Sequence, residues 1–376
     1  MRLIKNTIFR FASGPSRPKA DPNSHKYGPR GFFDQKEINS EVPDHLGKII
    51  SSTANYALAR STWSSYGTSL NMLNRCNEEL NLSLRLPMTE TDTLIFIGYL
   101  LDKNLSAATI SSYLAGIRQK QIALGFGGKT LRTPLINQVI DGQRNQQNTE
   151  KNLGNGSTRV PVTPKMLLLI KQDLKKSSMG KLKKLLIWSV STLMFFGAFR
   201  GGELLARREK SFDPTTVLLG SDVKLKNLLI NNERVQLLQI TLKSEKTNRN
   251  GSATIVDVYA SHNATCPVAA WKKWQTLHNS EPDLPAFMAD KESAFTCGMF
   301  NKYLANFNQK YLNEPGRTLS CHCFRSGMAT LLAKIGFTDA EIMASGRWSS
   351  RAFEEYIKMP RSSRLAMSKT IANLNV

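Results

Sequence analysis

Between Leu46 and Asn148 the apolar positions recur at three- and four-residue steps, the period of helices that bury one face. From Ala57 to Leu80 they are Leu58, Trp63, Tyr66, Leu70 and Leu73, with Arg60 and Arg75 at other angles. Thr89, with Asp92 three residues on, predicts the start of a second helix over TDTLIFIGYLLDK. Ser106 opens a third, SAATISSYLAGIRQKQIALG, which Gly125 closes, and a fourth runs from Pro134 to Gln146. Four helices over about 100 residues predict a compact bundle at 46–148.

Residues 149–162 are polar, carry two Gly and a Pro, and read as a linker. Thr163-Pro164 then supplies an N-cap followed by proline in the first turn. Helices are predicted over Pro164 to Lys175 and Lys181 to Phe199. The second contains LLIWSVSTLMFFGAF, too short for a membrane span and suited to a buried helix. From Leu218 to Tyr259 the period changes to alternation, with VKLKNLLI, VQLLQITLK and ATIVDVYA as strands and KSEKTNRNG as a hairpin turn between the last two. Helices return at Cys266 to Leu277, where Trp271 and Trp274 share an apolar face with Val268, and at Thr296 to Tyr311. The fold class is therefore mainly α with a small antiparallel β-sheet: a four-helix N-terminal domain, then an α+β domain at 163–360.

The last part of that domain carries the densest chemistry. His322 and Arg325, three apart, open an apolar-periodic run (Met328, Leu331, Leu332, Ile335) and so lie on one helix face. Gly336 ends this helix, and Thr338 with Glu341 reads as a capping box for the next. Gly346-Arg347-Trp348 breaks that one, and Ser349 or Ser350 caps a third helix bearing Tyr356. An imidazole, a guanidinium, an Arg-Trp pair and a phenol are thus brought towards one place. A cationic pocket facing a phenol suits phosphoryl transfer to tyrosine. Arg200 follows a wholly apolar segment and should emerge at its edge, with Glu203 positioned to hold a guanidinium or the histidine. A C-terminal arginine offsetting a helix dipole has the same appearance.

Charge narrows the partner. The chain of 376 residues has 51 basic and 29 acidic residues, a net charge of +22, which favours a polyanion. Ser64, Ser65, Ser111 and Ser112 beside Arg118 and Lys120 suit phosphate contacts, and equally a wet helix face. Five cysteines, an odd number, argue for a reducing compartment. Cys321 and Cys323 flank His322, but no second ligand pair at fixed spacing accompanies them, so no metal site is expected. Residues 1–45 lack periodicity and are rich in Pro, Ser, Gly and basic residues. They read as a disordered basic arm on DNA, although residues 1–20 also have the look of a mitochondrial presequence.

The order Arg, Lys, His-x-x-Arg, His or Trp, then Tyr resembles the tyrosine recombinases, the phage integrase family. The wording GRWSSRAFEEYI is similar to the Crypton and DIRS-like transposon branch. The resemblance covers about residues 50 to 370. It implies a core-binding domain that clamps duplex DNA, and a catalytic domain in which Tyr356 attacks a phosphodiester. Arg200 and Arg325 would hold the equatorial oxygens, with Glu203 as the acidic partner of Arg200. His322 would accept the tyrosine proton, and Lys246, preferred over Lys243 in the hairpin, would protonate the departing 5′-oxygen. The family's His or Trp position, nine residues before the tyrosine, falls on Arg347 here, with Trp348 next. Trp348 is taken first, and Arg347 is kept as a supporting residue. Arg60, Arg118, Lys120 and Lys243 are candidate DNA contacts. No cofactor is implied. Partners would be double-stranded DNA, a homodimer on one site and a homotetramer in synapsis, with the 361–376 tail packed on a neighbour. A nuclear location follows for a eukaryotic source. Rival readings are a catalytically silent domesticated DNA-binding protein, a type IB topoisomerase-like enzyme and a basic RNA-binding scaffold.

Overall fold

A computed structural model describes residues 42–152, 158–243, 253–278, 281–313 and 316–356, with backbone alone at Arg60, 151–152, Thr158 and 355–356. The basic arm to residue 41, the hairpin segment with Lys246 and the tail from 357 lie outside the described residues. The chain forms two compact units, one ending and the other beginning at 156–157.

The first unit is helical: α1 (Asp44–Asn55), α2 (Arg60–Leu80), α3 (Glu90–Asp102), α4 (Ala107–Ala123) and α5 (Pro134–Asn152). Helix α1 was not anticipated. The Trp63 indole N–H donates to the Asn55 carbonyl at 2.8 Å and ties α1 to α2. The expected starts of α3 and α4 are present: Thr89 and Asp92 form a capping box, and the Ser106 hydroxyl accepts from the Thr109 amide. Helix α5 continues to Asn152, into the stretch read as linker. The core gathers Trp63, Leu70, Phe96, Leu100, Ile110 and Ile117.

The second unit is built on α7 (Lys181–Phe196), which follows α6 (Pro164–Lys176). Residues 186–195 of α7 are all buried. Each fully buried Leu, Val or Phe there contributes about 1.5–3 kcal/mol. The hydroxyls of Ser191 and Thr192 donate back to carbonyls of the preceding turn, so these polar groups enter the core without loss. After the short α8 (Gly201–Leu204) comes an antiparallel sheet, β2 (Val223–Ile230), β3 (Glu233–Leu242) and β4 (Thr254–Tyr259). Asn231 and Asn232 turn β2 into β3 with φ of 49° and 65°, the left-handed pair that a two-residue hairpin needs. Then follow α9 (Pro267–His278), α10 (Cys297–Tyr311), α11 (His322–Lys334), α12 (Asp339–Gly346) and a 3-10 helix, Arg351–Tyr356. Trp271 and Trp274 of α9 are core residues, 1% and 0% exposed.

A two-residue parallel pair, β1 (Thr158–Arg159) with β5 (Arg317–Thr318), fixes the entrance to α11. The Val162 amide continues the contact by donating to the Cys323 carbonyl at 2.9 Å. Gly327 is required for that approach, since a Cβ there would collide with the Val162 carbonyl.

Candidate active site

The apolar run of α7 has to end somewhere, and its last carbonyls are buried. Gly197 closes the helix, and Ala198 turns away with φ of 45°. Carbonyls at such an end lack intrahelical donors and carry the negative end of the helix dipole. Two arginines from distant parts of the chain answer them. Arg325, on the first turn of α11, donates from Nη1 to the Ala198 carbonyl and from Nη2 to the Gly346 carbonyl at the end of α12. Arg347 donates from Nη1 to the Gly197 carbonyl at 2.9 Å.

Glu203 joins the third guanidinium to this pair. Its Oε1 accepts from Arg200 Nη1 at 2.7 Å, and its Oε2 accepts from the Arg200 amide and from Arg347 Nη2, each at 2.9 Å. The carboxylate therefore serves two guanidiniums and caps α8. The expected choice for Glu203 between guanidinium and histidine resolves onto guanidiniums. Among the described residues, three guanidiniums against one carboxylate give this cluster a net charge of +2. The three differ in access: the Arg200 side chain is 23% exposed, that of Arg347 11%, and Arg325 as a whole 1%. Arg200 is thus the outward donor, and Arg325 sits beneath. Each terminal nitrogen of Arg325 commits one of its two N–H donors to a carbonyl, so the guanidinium is anchored to the backbone.

Arg347 and Trp348 take separate tasks. Arg347 adopts the left-handed conformation with φ of 56° at the end of α12. Its side chain is turned back to Glu203 and over Phe199, 5.0 Å from that ring centre. Trp348 is buried and packs on Phe353 and against Arg325. The capping box of Thr338 and Glu341 that starts α12 is present, with the Thr338 amide donating to Glu341 Oε2 at 2.8 Å.

His322 occupies the first position of α11, half-buried, three residues before Arg325. The Arg200–Gly201 corner lies against this helix start. A Cβ at Gly201 would come within 2.9 Å of Cys297 Sγ and 3.1 Å of Cys321 Cβ. The glycine therefore admits the thiol-lined start of α11. A hydrogen bond with Cys297 and burial push the Cys321 thiol up, while the same bond holds Cys297 below its usual value. Cys323, on the other side of His322, is fully buried and accepts from the Ser320 amide at 3.3 Å. The thiols around the histidine are packing groups.

The 3-10 helix Arg351–Tyr356 brings the backbone of Tyr356 to the end of this assembly, with the Ser350 hydroxyl accepting from the Ala352 amide at 3.4 Å. The Tyr356 side chain is outside the described residues. Two other tyrosines of this unit are engaged elsewhere. Tyr303 and Tyr311 donate to the Asp173 carboxylate at 3.1 and 2.9 Å. Burial, then the Asp173 charge, pushes the Tyr303 phenol far up, away from nucleophile chemistry.

The remaining candidates divide. Lys243 is bound to Asp222 at 2.8 Å and donates to the Pro214 carbonyl, an anchoring role at the end of β3. Lys246 lies outside the described residues, as does the Arg60 side chain. Lys120 corrects the expectation of a phosphate contact: it is 4% exposed. Helix α4 buries Gly116, Ile117, Lys120 and Gln121, so Lys120 faces inward. Arg118 fits better, lining a small cavity with Ser111, Arg132 and Arg144. No helix among the described residues is long and apolar enough to cross a membrane.

No protein-family model matches the sequence, and no curated protein matches it significantly. Solved structures do resemble it. XerH site-specific recombinase bound to a palindromic difH substrate, a post-cleavage complex, aligns over 87% of this chain and 84% of that one, with TM-score 0.55 and 15% identity. A lambda integrase dimer bound to a COC′ core site aligns over 90% and 78%, with TM-score 0.51 and 16% identity. The fold is that of the tyrosine recombinases. Within it, the expected mainly helical architecture with a small antiparallel sheet is the one observed.

Proposed function

We propose that this chain is a site-specific DNA recombinase or integrase that cuts and rejoins DNA through a 3′-phosphotyrosyl intermediate, encoded by or derived from a mobile element. The observation that carries this reading is the gathering of Arg200, Arg325 and Arg347 at the end of α7, beside the helix that begins with His322. Arg200 and Arg325 follow the order the family resemblance gives, while Arg347 stands where that family has His or Trp. The likeness of the fold to XerH and lambda integrase, both DNA-bound in those structures, supports it.

In this reading the Tyr356 oxygen attacks the phosphorus as the 5′-oxygen leaves, and a second 5′-hydroxyl later reverses the step. The transition state gathers charge on its equatorial oxygens. Arg200 meets it directly, and Arg325, held over the Trp348 ring, supplies fixed charge from beneath. Preorganised donors of this kind are each worth roughly 10²–10³ in rate. A free tyrosine, with pKa about 10, is scarcely ionised at neutral pH, so the cationic cluster and His322 as proton acceptor both favour attack. Lys246 is assigned to the leaving oxygen by the resemblance, and the engagement of Lys243 with Asp222 supports that choice over its neighbour. The guanidiniums supply the charge that a metal ion would otherwise bring, so neither metal nor cofactor is invoked. The partner is double-stranded DNA, bound as a dimer on each site and as a tetramer in synapsis. The test is selection of bound duplexes from a random pool, followed by two-site recombination in vitro. Exchange of flanks between paired selected sites is expected. Binding without any strand exchange or cleavage would favour a silent DNA-binding protein.

A further inference from the structure

We propose that the catalytic unit carries a separate docking site for an acidic peptide segment of a partner protein, one with an aromatic or leucine anchor. The site is an open cavity of about 420 Å³ formed by α6, the start of α7 and α9. Five lysines, Lys171, Lys175, Lys181, Lys184 and Lys273, stand around it, and no acidic residue lines it. Among the described residues none of the five is ion-paired. Its floor is apolar, with Trp188, Leu174 and Leu185.

The lysines crowd one another. Lys171 folds over the Trp188 ring, 5.3 Å from its centre, and donates to the Ala264 carbonyl. Burial and the neighbouring Lys175 and Lys273 hold its ammonium below the usual lysine range. A ligand with several carboxylates would relieve this repulsion. The apolar floor says what else the ligand must bring. A duplex backbone offers charge but nothing apolar to cover Trp188, and its convex surface does not enter a concave site. An acidic segment with a Leu, Phe or Trp offers both, and the volume falls in the range of sites that take such groups. The occupant is not the chain's own C-terminal tail, since residues 357–376 carry four basic and no acidic side chains and would be repelled.

The inference is independent of the DNA reading. It is tested with the full chain and a fluorescein-labelled twelve-residue peptide, a central Leu-Trp flanked by Asp and Glu, by anisotropy at moderate salt. Saturable binding is expected, weakened roughly tenfold or more by Lys175→Glu with Lys273→Glu. Both lysines are exposed, so the fold should survive. Ala269→Phe, at an exposed position of the rim, should block the anchor and weaken binding similarly, as should replacing Leu-Trp by Ser-Ser in the peptide. Affinity for duplex DNA should stay within about twofold in both variants. Absence of saturable binding overturns the proposal. So does binding indifferent to the anchor and to Ala269→Phe, which would mean a charged patch alone. A tenfold loss of DNA affinity in the charge-reversed variant, with no peptide binding, would assign the lysines to the duplex.

Discussion

The guanidinium carbon of Arg325 lies 4.3 Å from the centre of the Trp348 ring, so the most buried cation of the site rests on an aromatic face. Two carbonyls hold its edge, at Ala198 and Gly346. The guanidinium is thereby held by the ring and by two carbonyls in the chain's own fold, as a preorganised charge must be. The ring is worth about 0.5–2 kcal/mol to the cation and much more to the local core.

Trp348→Ala should therefore destabilise the protein by about 3–5 kcal/mol, as for other large-to-small core changes. Trp348→Phe should cost less and retain cleavage, because a smaller aromatic face remains beneath Arg325. Denaturant midpoints and cleavage rates for the two variants check this. Equal loss in both would mean that the indole does more than support the guanidinium.

Glu203 is the shared carboxylate of Arg200 and Arg347. Glu203→Gln leaves buried guanidiniums short of their counter-charge and should cost about 3–5 kcal/mol. Arg347→Ala in the Glu203→Gln background should add much less than it does alone, since the two share one interaction. A double-mutant cycle by urea unfolding measures the coupling, and strict additivity would refute the bridge.

Much of this was legible in the chain. Local signals were read directly: the capping boxes at Thr89 and Thr338, Thr163 before Pro164, and the helix break near Arg347. The resemblance named Arg200, His322 and Arg325 for one site, and the structure sets His322 and Arg325 on the first turn of α11 and ties Arg200 to Arg347 through Glu203. What could not be read depended on contacts without local periodicity. The β1–β5 pair joins residues near 158 and 317 by two positions each, too few to leave a pattern. The Glu203–Arg347 bridge spans 144 residues. Lys120 was misread because α4 buries more than one stripe, so a basic residue between apolar ones still faces inward. The carbonyls of Gly197 and Ala198 as organisers of two arginines leave no side-chain signal at all.

Asp173 gives a pH test independent of catalysis. Burial pushes its carboxyl up, but hydrogen bonds from Lys310, Tyr311 and Tyr303 outweigh this and hold it below the usual carboxylate range. A depressed folded-state pKa gives stability that is present above the unfolded value, about 3.9, and is lost as pH falls through the folded one. The stability gap between wild type and Asp173→Asn should be constant above about pH 5 and shrink below pH 4. A gap independent of pH down to 2 would contradict the ionised cluster.

Salt dependence tests the contribution of both units to DNA. If binding neutralises roughly ten phosphates, log affinity should fall with log salt at a slope near −9. Residues 157–376 have their own core and should bind alone with a shallower slope. Equal slopes would remove the helical unit from the interface.

The central claim is tested most directly by trapping the protein on a nicked duplex whose cleaved fragment diffuses away, in EDTA, and reading the denatured product on a gel. An SDS-resistant protein–DNA adduct is predicted, with the peptide containing Tyr356 carrying the nucleotide by mass spectrometry. Tyr356→Phe should abolish the adduct while leaving duplex affinity within about twofold, since only the attacking oxygen is lost. An adduct that survives in Tyr356→Phe, or one that forms only when magnesium is added, would contradict the account.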